Sequence, residues 1–185
     1  MTLVDTQMIA AAGLPALGWV LHGGLLWRRL ATARRDPLTG LHTRAGWTTR
    51  AEHLLAKHPG ALVLLVDLDD FKTINDTHGH AAGDAVLTAT AQRLADWCGR
   101  HGIAARLGGD EFAAIVTDPG HTAGLFALRI ALDEPVTHHG HVLPVSASVG
   151  HCHRDRLPVP VLTDALSAAD ASMYAAKGHG RRNTR

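Results

Sequence analysis

Residues 103–117 read IAARLGGDEFAAIVT, two short apolar runs on either side of Gly108-Gly109-Asp110-Glu111. Paired glycines supply the positive φ that a tight turn needs, so this stretch is expected to fold as a β-hairpin. Residues 61–67, ALVLLVD, form another short apolar run. It follows Pro59-Gly60 and reads as a buried strand whose end delivers acid groups to the surface. Helical spacing of apolar side chains is found at 45–58, 84–97, 124–132 and 161–177, the last ending at Gly178, while 142–151 is strand-like. Helices and strands therefore alternate irregularly around a hairpin. The expected class is α+β, with helices packed on a mainly antiparallel sheet.

The chain has 185 residues, enough for one ordinary domain with an appendage. Its formal net charge is only +1, which gives no reason to expect nucleic acid as a partner. Any anion site must be local. Cys98 and Cys152 lack CxxC spacing and read as two reduced thiols. The 14 histidines include a group at His138, His139 and His141 and a pair at His151 and His153. None has the spacing or cysteine partners of a zinc site, so they are read as solvated histidines.

Residues 8–27 carry no formal charge, and Arg28, Arg29, Arg34 and Arg35 follow. The length and the flanking arginines satisfy the criteria for a membrane span that leaves the rest of the chain in the cytoplasm. Gly13, Pro15, Gly18, His22, Gly23 and Gly24 weaken that reading and leave an amphipathic or dimer-forming helix as the alternative. Asp36-Pro37 breaks the arginine-rich stretch. The domain boundary is placed there, giving a segment 1–35 and a domain 36–185.

Asp67 and Asp69 close a hydrophobic strand, and Asp110 and Glu111 occupy a hairpin tip. If the hairpin lies beside that strand, the carboxylates converge at one sheet edge as hard oxygen ligands suited to Mg2+ or Mn2+. Gly108 and Gly109 would let a bulky ligand approach the backbone closely. The segment 67–87, DLDDFKTINDTHGHAAGDAVL, adds Lys72 for phosphate, Asn75 and Asp84 for a purine edge, and a Gly79-containing loop between them. Asp84 can equally be read as the N-cap of the helix that follows.

These motifs together resemble the GGDEF domain, the catalytic domain of diguanylate cyclases. The resemblance rests on Arg106 with 107–112 (LGGDEF), on 36–41 (DPLTGL) with Arg44, on 67–87, on Ser148-Val149-Gly150, and on Ala169-Asp170, Met173-Tyr174, Ala176-Lys177 and Gly180-Arg181. It covers Asp36 to about Asn183. It implies a five-stranded sheet wrapped by helices, related to nucleotide cyclases and polymerase palms. It further implies that Asp67, the Leu68 carbonyl and Asp110 hold metal, and that Glu111 supports the metal or the reacting hydroxyl. Asn75 and Asp84 would hold guanine, while Lys72, Lys177 and Arg181 grip a triphosphate at the Gly108-Gly109 turn. The implied activity joins two GTP into cyclic di-GMP across a homodimer. A nucleotide-binding receptor without turnover is the alternative.

Two positions depart from the family pattern. Thr43 stands where Asn is usual. Many members also carry an RxxD inhibitory site whose Arg lies nine residues before the first signature glycine, but here Gly99 and Gly102 occupy its two ends. No inhibitory site is therefore expected.

Overall fold

The computed structural model describes residues 34–118, 120 and 124–180. The expected segment 8–27, the Arg28-Arg29 pair and Arg181 lie outside the described residues. After a turn at 37–39 come β1 (His42–Thr43), α1 (Arg44–Lys57), β2 (Leu62–Leu68), α2 (Phe71–His78) and α3 (His80–Cys98). The chain continues through β3 (Gly102–Gly108), β4 (Glu111–Val116), α4 (Leu125–Asp133), β5 (Val136–His138), β6 (His141–Leu143), β7 (Ala147–His153) and α5 (Leu162–Gly180). Five strands form one mixed sheet in the order β1-β3-β4-β2-β7, parallel only at β1–β3, and β5–β6 form a separate hairpin. The expected α+β class, with a mainly antiparallel five-stranded sheet and surrounding helices, is what the structure has.

Strand β2 lies in the interior of this sheet, and its alternation explains the two layers around it. Side chains two apart on a strand share a face. Leu62, Leu64, Val66 and Leu68 pack with Val86, Leu87 and Leu94 of α3 and with Leu128 and Leu132 of α4. Val63 and the partly buried Leu65 belong to the opposite core, with Trp47, Ala51 and Leu55 of α1 and Ala165 and Ala169 of α5. Both faces of β2 are thus covered, which is why it reads as an unbroken apolar run and not as an alternating one. Trp47 is fully buried, and its indole Nε1 donates to the Ile103 carbonyl at 3.2 Å, fixing α1 to β3. Both cysteines are free and buried, and burial pushes the Cys98 thiol up to about 12.

Three local expectations need correction. Residues 142–151 are not one strand: β6 ends at Leu143 and β7 begins at Ala147. Pro144 between them lacks the N–H that a continuous ladder requires. The stretch between Asn75 and Asp84 is not a loop, because Gly79 (φ +83) ends α2 and lets α3 begin at once at His80. Asp84 consequently lies inside α3, and the N-cap position belongs to Gly79.

Candidate active site

Antiparallel pairing of β2 with β4 places Asp67 directly opposite Glu111, and pairing of β2 with β7 places Asp67 opposite Ser148. Directly opposed residues of neighbouring strands project from the same face. Glu111, Asp67 and Ser148 therefore form a row across three strands, on the face covered by α1 and α5. The signature turn is held against β2, where the Leu68 N–H donates to the Asp110 carbonyl at 3.3 Å. Asp110 and Leu68 are thus backbone neighbours, and the two acidic stretches meet at one end of the sheet. Gly109 has φ +53, the left-handed turn conformation for which glycine suits the hairpin.

The site carries its own cation. Lys177, near the end of α5, donates to Asp67 Oδ2 at 2.5 Å and lies 3.5 Å from Asp69 Oδ1. Burial works against the ammonium charge, but the carboxylates of Asp67 and Asp69 outweigh it and raise its pKa. Asp69 is itself fixed: Ser146 Oγ and Ser148 Oγ donate to its two oxygens at 2.9 and 2.7 Å. Across the row, Arg44 at the start of α1 pairs with Glu111 at 3.7 Å, an exposed contact worth well under about 1 kcal/mol. Arg44, Asp67, Glu111, Asp170 and Met173 help line a cleft of about 160 Å³ between the sheet and α5.

Arg106 ties the signature turn to the beginning of the domain. Its Nε donates to the Gly109 carbonyl at 2.9 Å, and its Nη1 lies 3.4 Å from Asp36 Oδ1. Asp36 also accepts from the Thr39 backbone N–H and hydroxyl, at 2.9 and 2.7 Å. Burial disfavours the Asp36 carboxylate, yet the Thr39 hydrogen bonds and the Arg106 charge prevail and hold its pKa below the ordinary carboxylate value.

The phosphate candidate Lys72 and the purine-edge candidates Asn75 and Asp84 lie on α2 and α3, which follow β2 in the chain. Lys72 is exposed on the first turn of α2, Asn75 is half-buried on the same helix, and Asp84 is exposed on α3. The Asn75 side chain lies against Gly83, the residue preceding Asp84. The amide thus lies beside the residue that precedes Asp84 on α3. Sequence reading did not assign the Arg44–Glu111 pair or the Asp69–Ser146–Ser148 cluster. The Asp67-x-Asp69 spacing was a usable signal for the second, since alternation in extended chain gives both carboxylates one side.

The donors near β2 suit a hard divalent cation. Asp67, Asp110 and the Leu68 carbonyl offer oxygen alone, and Asp67 accepts a hydrogen bond from the Lys177 ammonium. Among the described residues no three His, Cys, Asp or Glu groups come together to enclose an ion. A hard divalent cation of this class takes one or two protein carboxylates and completes its shell with water and phosphate.

A family model described as "Diguanylate cyclase, GGDEF domain" matches residues 33–183. An uncharacterized 19.3 kDa protein of the repSA 5′ region of Streptomyces ambofaciens is 66% identical over 176 residues, covering 95% of this chain and 96% of that one. Diguanylate cyclase DgcN of Escherichia coli is 37% identical over 163 residues, which are 80% of this chain but 38% of DgcN. The chain thus spans well under half of that curated cyclase. The coiled coil and GGDEF domain of DgcB from Caulobacter crescentus, solved in complex with c-di-GMP, superposes with a TM-score of 0.77 at 25% identity, over 95% of this chain and 96% of that one. The match over residues 33–183, on a sheet whose hairpin tip carries Gly108-Gly109-Asp110-Glu111-Phe112, shows that the chain belongs to the GGDEF-domain family of diguanylate cyclases.

Proposed function

We propose that this protein is a diguanylate cyclase, condensing two GTP into cyclic di-GMP with release of two pyrophosphates. The observation that carries the proposal is the register of β2 on β4: it sets Asp67 opposite Glu111 at the signature turn, with the Lys177 ammonium on Asp67. In each half-reaction the 3′-hydroxyl oxygen of one GTP attacks the α-phosphorus of the other. Pyrophosphate leaves, and the hydroxyl proton passes to Asp110 or Glu111, or to water held there. Asp67, the Leu68 carbonyl and Asp110 would hold Mg2+ or Mn2+, which when bound neutralises charge on the phosphates.

The rest is positioning by the chain's own groups. Gly108 and Gly109 present backbone without Cβ to the triphosphate. Lys72, Lys177 and Arg181 supply cations to its oxygens. Asn75 and Asp84 bind the guanine edge, where a carboxylate accepts from N1–H and N2–H and so disfavours adenine. One site holds one GTP, so two domains must face each other and turnover requires a homodimer. Residues 8–27 would serve as the dimerising or membrane-anchoring segment, with the domain in the cytoplasm. Among the described residues no helix is long and apolar enough to cross a membrane.

Product inhibition through an RxxD site should be absent. Beyond lacking the acid, position 102 has no room for one, because a Cβ there would meet Val116 Cγ1 at 2.5 Å and the Ile115 carbonyl oxygen at 2.6 Å. The proposal is tested by incubating the full chain with GTP and Mg2+ and measuring pyrophosphate and cyclic di-GMP, with Asp110→Ala as control. Both products should form with the parent protein and neither with the variant. GTP binding without turnover would instead make the protein a nucleotide receptor.

A further inference from the structure

Gly83 is a glycine inside a helix, at a buried position where its backbone needs no unusual conformation. Glycine is the poorest helix former after proline, so its presence calls for another reason. The reason is spatial. A Cβ built on Gly83 would lie 2.0 Å from Asn75 Oδ1, 3.0 Å from Asn75 Cγ and 3.2 Å from Phe71 Cζ. The nearest obstruction is thus the end of a side chain and not a main-chain atom. Gly150 differs: there the nearest atom is the Ala169 carbonyl oxygen, at 2.0 Å. An added methyl at position 83 can be accommodated by turning the Asn75 amide away, which leaves the fold intact and moves the amide.

We propose that Gly83 is a specificity-determining positioning residue, whose missing side chain fixes the Asn75 amide beside Asp84 so that the two read guanine together. The proposal rests on the reading that Asn75 binds guanine. Gly79 contributes by joining α2 and α3 without a spacer residue, so that the Gly83 N–H reaches the Gly79 carbonyl and the two helices stay in close contact. The sequence interval from Asn75 to Asp84 then has a physical meaning: one turn of each helix brings a side chain from α2 into the gap that α3 leaves open.

The test measures binding of 3′-deoxy-GTP, which cannot be joined, and of 3′-deoxy-ATP to the full chain, to Gly83→Ala, to Asn75→Ala and to the double variant. Gly83→Ala should keep its melting temperature or raise it, since alanine favours the helix. Its affinity for 3′-deoxy-GTP should fall about tenfold, the scale of one lost hydrogen bond, with a similar fall in preference over 3′-deoxy-ATP. In the double variant the methyl has no amide to displace, so binding should be no weaker than in Asn75→Ala. Wild-type affinity in Gly83→Ala, a further loss from Gly83→Ala in the Asn75→Ala background, or an unfolded Gly83→Ala protein would each overturn the inference. Unchanged binding in Asn75→Ala would overturn the guanine reading itself, a distinguishable result.

Discussion

Lys177 at the end of α5 and Asp67 at the end of β2, 110 residues apart in the chain, are joined by a 2.5 Å hydrogen bond. Asp69 stands 3.5 Å away on the same ammonium, so one cation serves two carboxylates. Lys177→Met removes the counter-charge that the described residues give those two acids. Both groups are partly solvated, so the stability change should stay within about 1 kcal/mol. Activity should suffer more: loss of a charged phosphate contact corresponds to a rise in KM for GTP of roughly ten- to a hundredfold. Steady-state pyrophosphate release gives the KM, and a variant with unchanged KM would remove Lys177 from the substrate site.

Removal of divalent metal should separate chemistry from folding. Two apolar cores, one on each face of the sheet, pack the domain, and neither includes the candidate metal-binding carboxylates. Chelation with EDTA is therefore expected to abolish cyclic di-GMP formation while the far-ultraviolet circular dichroism and the melting temperature stay as they were. Restoring Mg2+ should restore turnover. Unfolding on chelation would mean that the ion is structural, contrary to the open oxygen donor set at Asp67 and Asp110.

Much of the fold around this candidate site is legible in the sequence, and what is not has identifiable physical causes. The hairpin at Gly108-Gly109 and the apolar run of β2 announce themselves locally, by turn chemistry and composition, whereas the pairing of β4 with β2 is seen only in the strand register. The helix α2 does not announce itself, because its 8 residues offer only Phe71 and Ile74 to the core, both partly buried, which is too short a run to give a repeated helical spacing. The break between β6 and β7 was hidden by apolar residues on both sides of Pro144. Contacts such as Arg44–Glu111 and Arg106–Asp36 depend on which strands neighbour each other, and residue spacing along the chain holds no trace of that.

Gly150 should tolerate substitution far less well than Gly83. A Cβ on this β7 residue would sit 2.0 Å from the Ala169 carbonyl oxygen, 2.6 Å from Met173 Cβ and 2.8 Å from the Met173 backbone nitrogen. Main-chain atoms cannot turn aside, so α5 would have to move off the sheet. Gly150→Ala is expected to lower stability by about 1–3 kcal/mol, the usual cost of overpacking. It should also impair turnover, because Lys177 rides on the displaced helix. Denaturant unfolding measures the first effect and pyrophosphate release the second. Full activity with normal stability would show that the β7–α5 contact is looser than its geometry indicates.

Acid should loosen the link between the beginning of the domain and the signature turn. Asp36 ionises at lower pH in the folded chain than in the unfolded one, since the Thr39 hydrogen bonds and the Arg106 charge outweigh the effect of its burial. Its contribution is then fully present above the ordinary carboxylate value of 3.8 and is lost as pH falls through the lowered folded value. Asp36→Asn keeps the shape but removes the charge that Arg106 faces at 3.4 Å, in a contact where both side chains are largely buried. The variant should lose about 1–2 kcal/mol of stability at pH 7, and the difference from the parent should shrink below pH 3.8 as the native carboxylate takes up its proton. Denaturant unfolding of both proteins at pH 7 and at pH 3 reads the difference directly. A gap that stays constant with pH would show that the Asp36 charge does not hold the turn, leaving Thr39 and the backbone to do so.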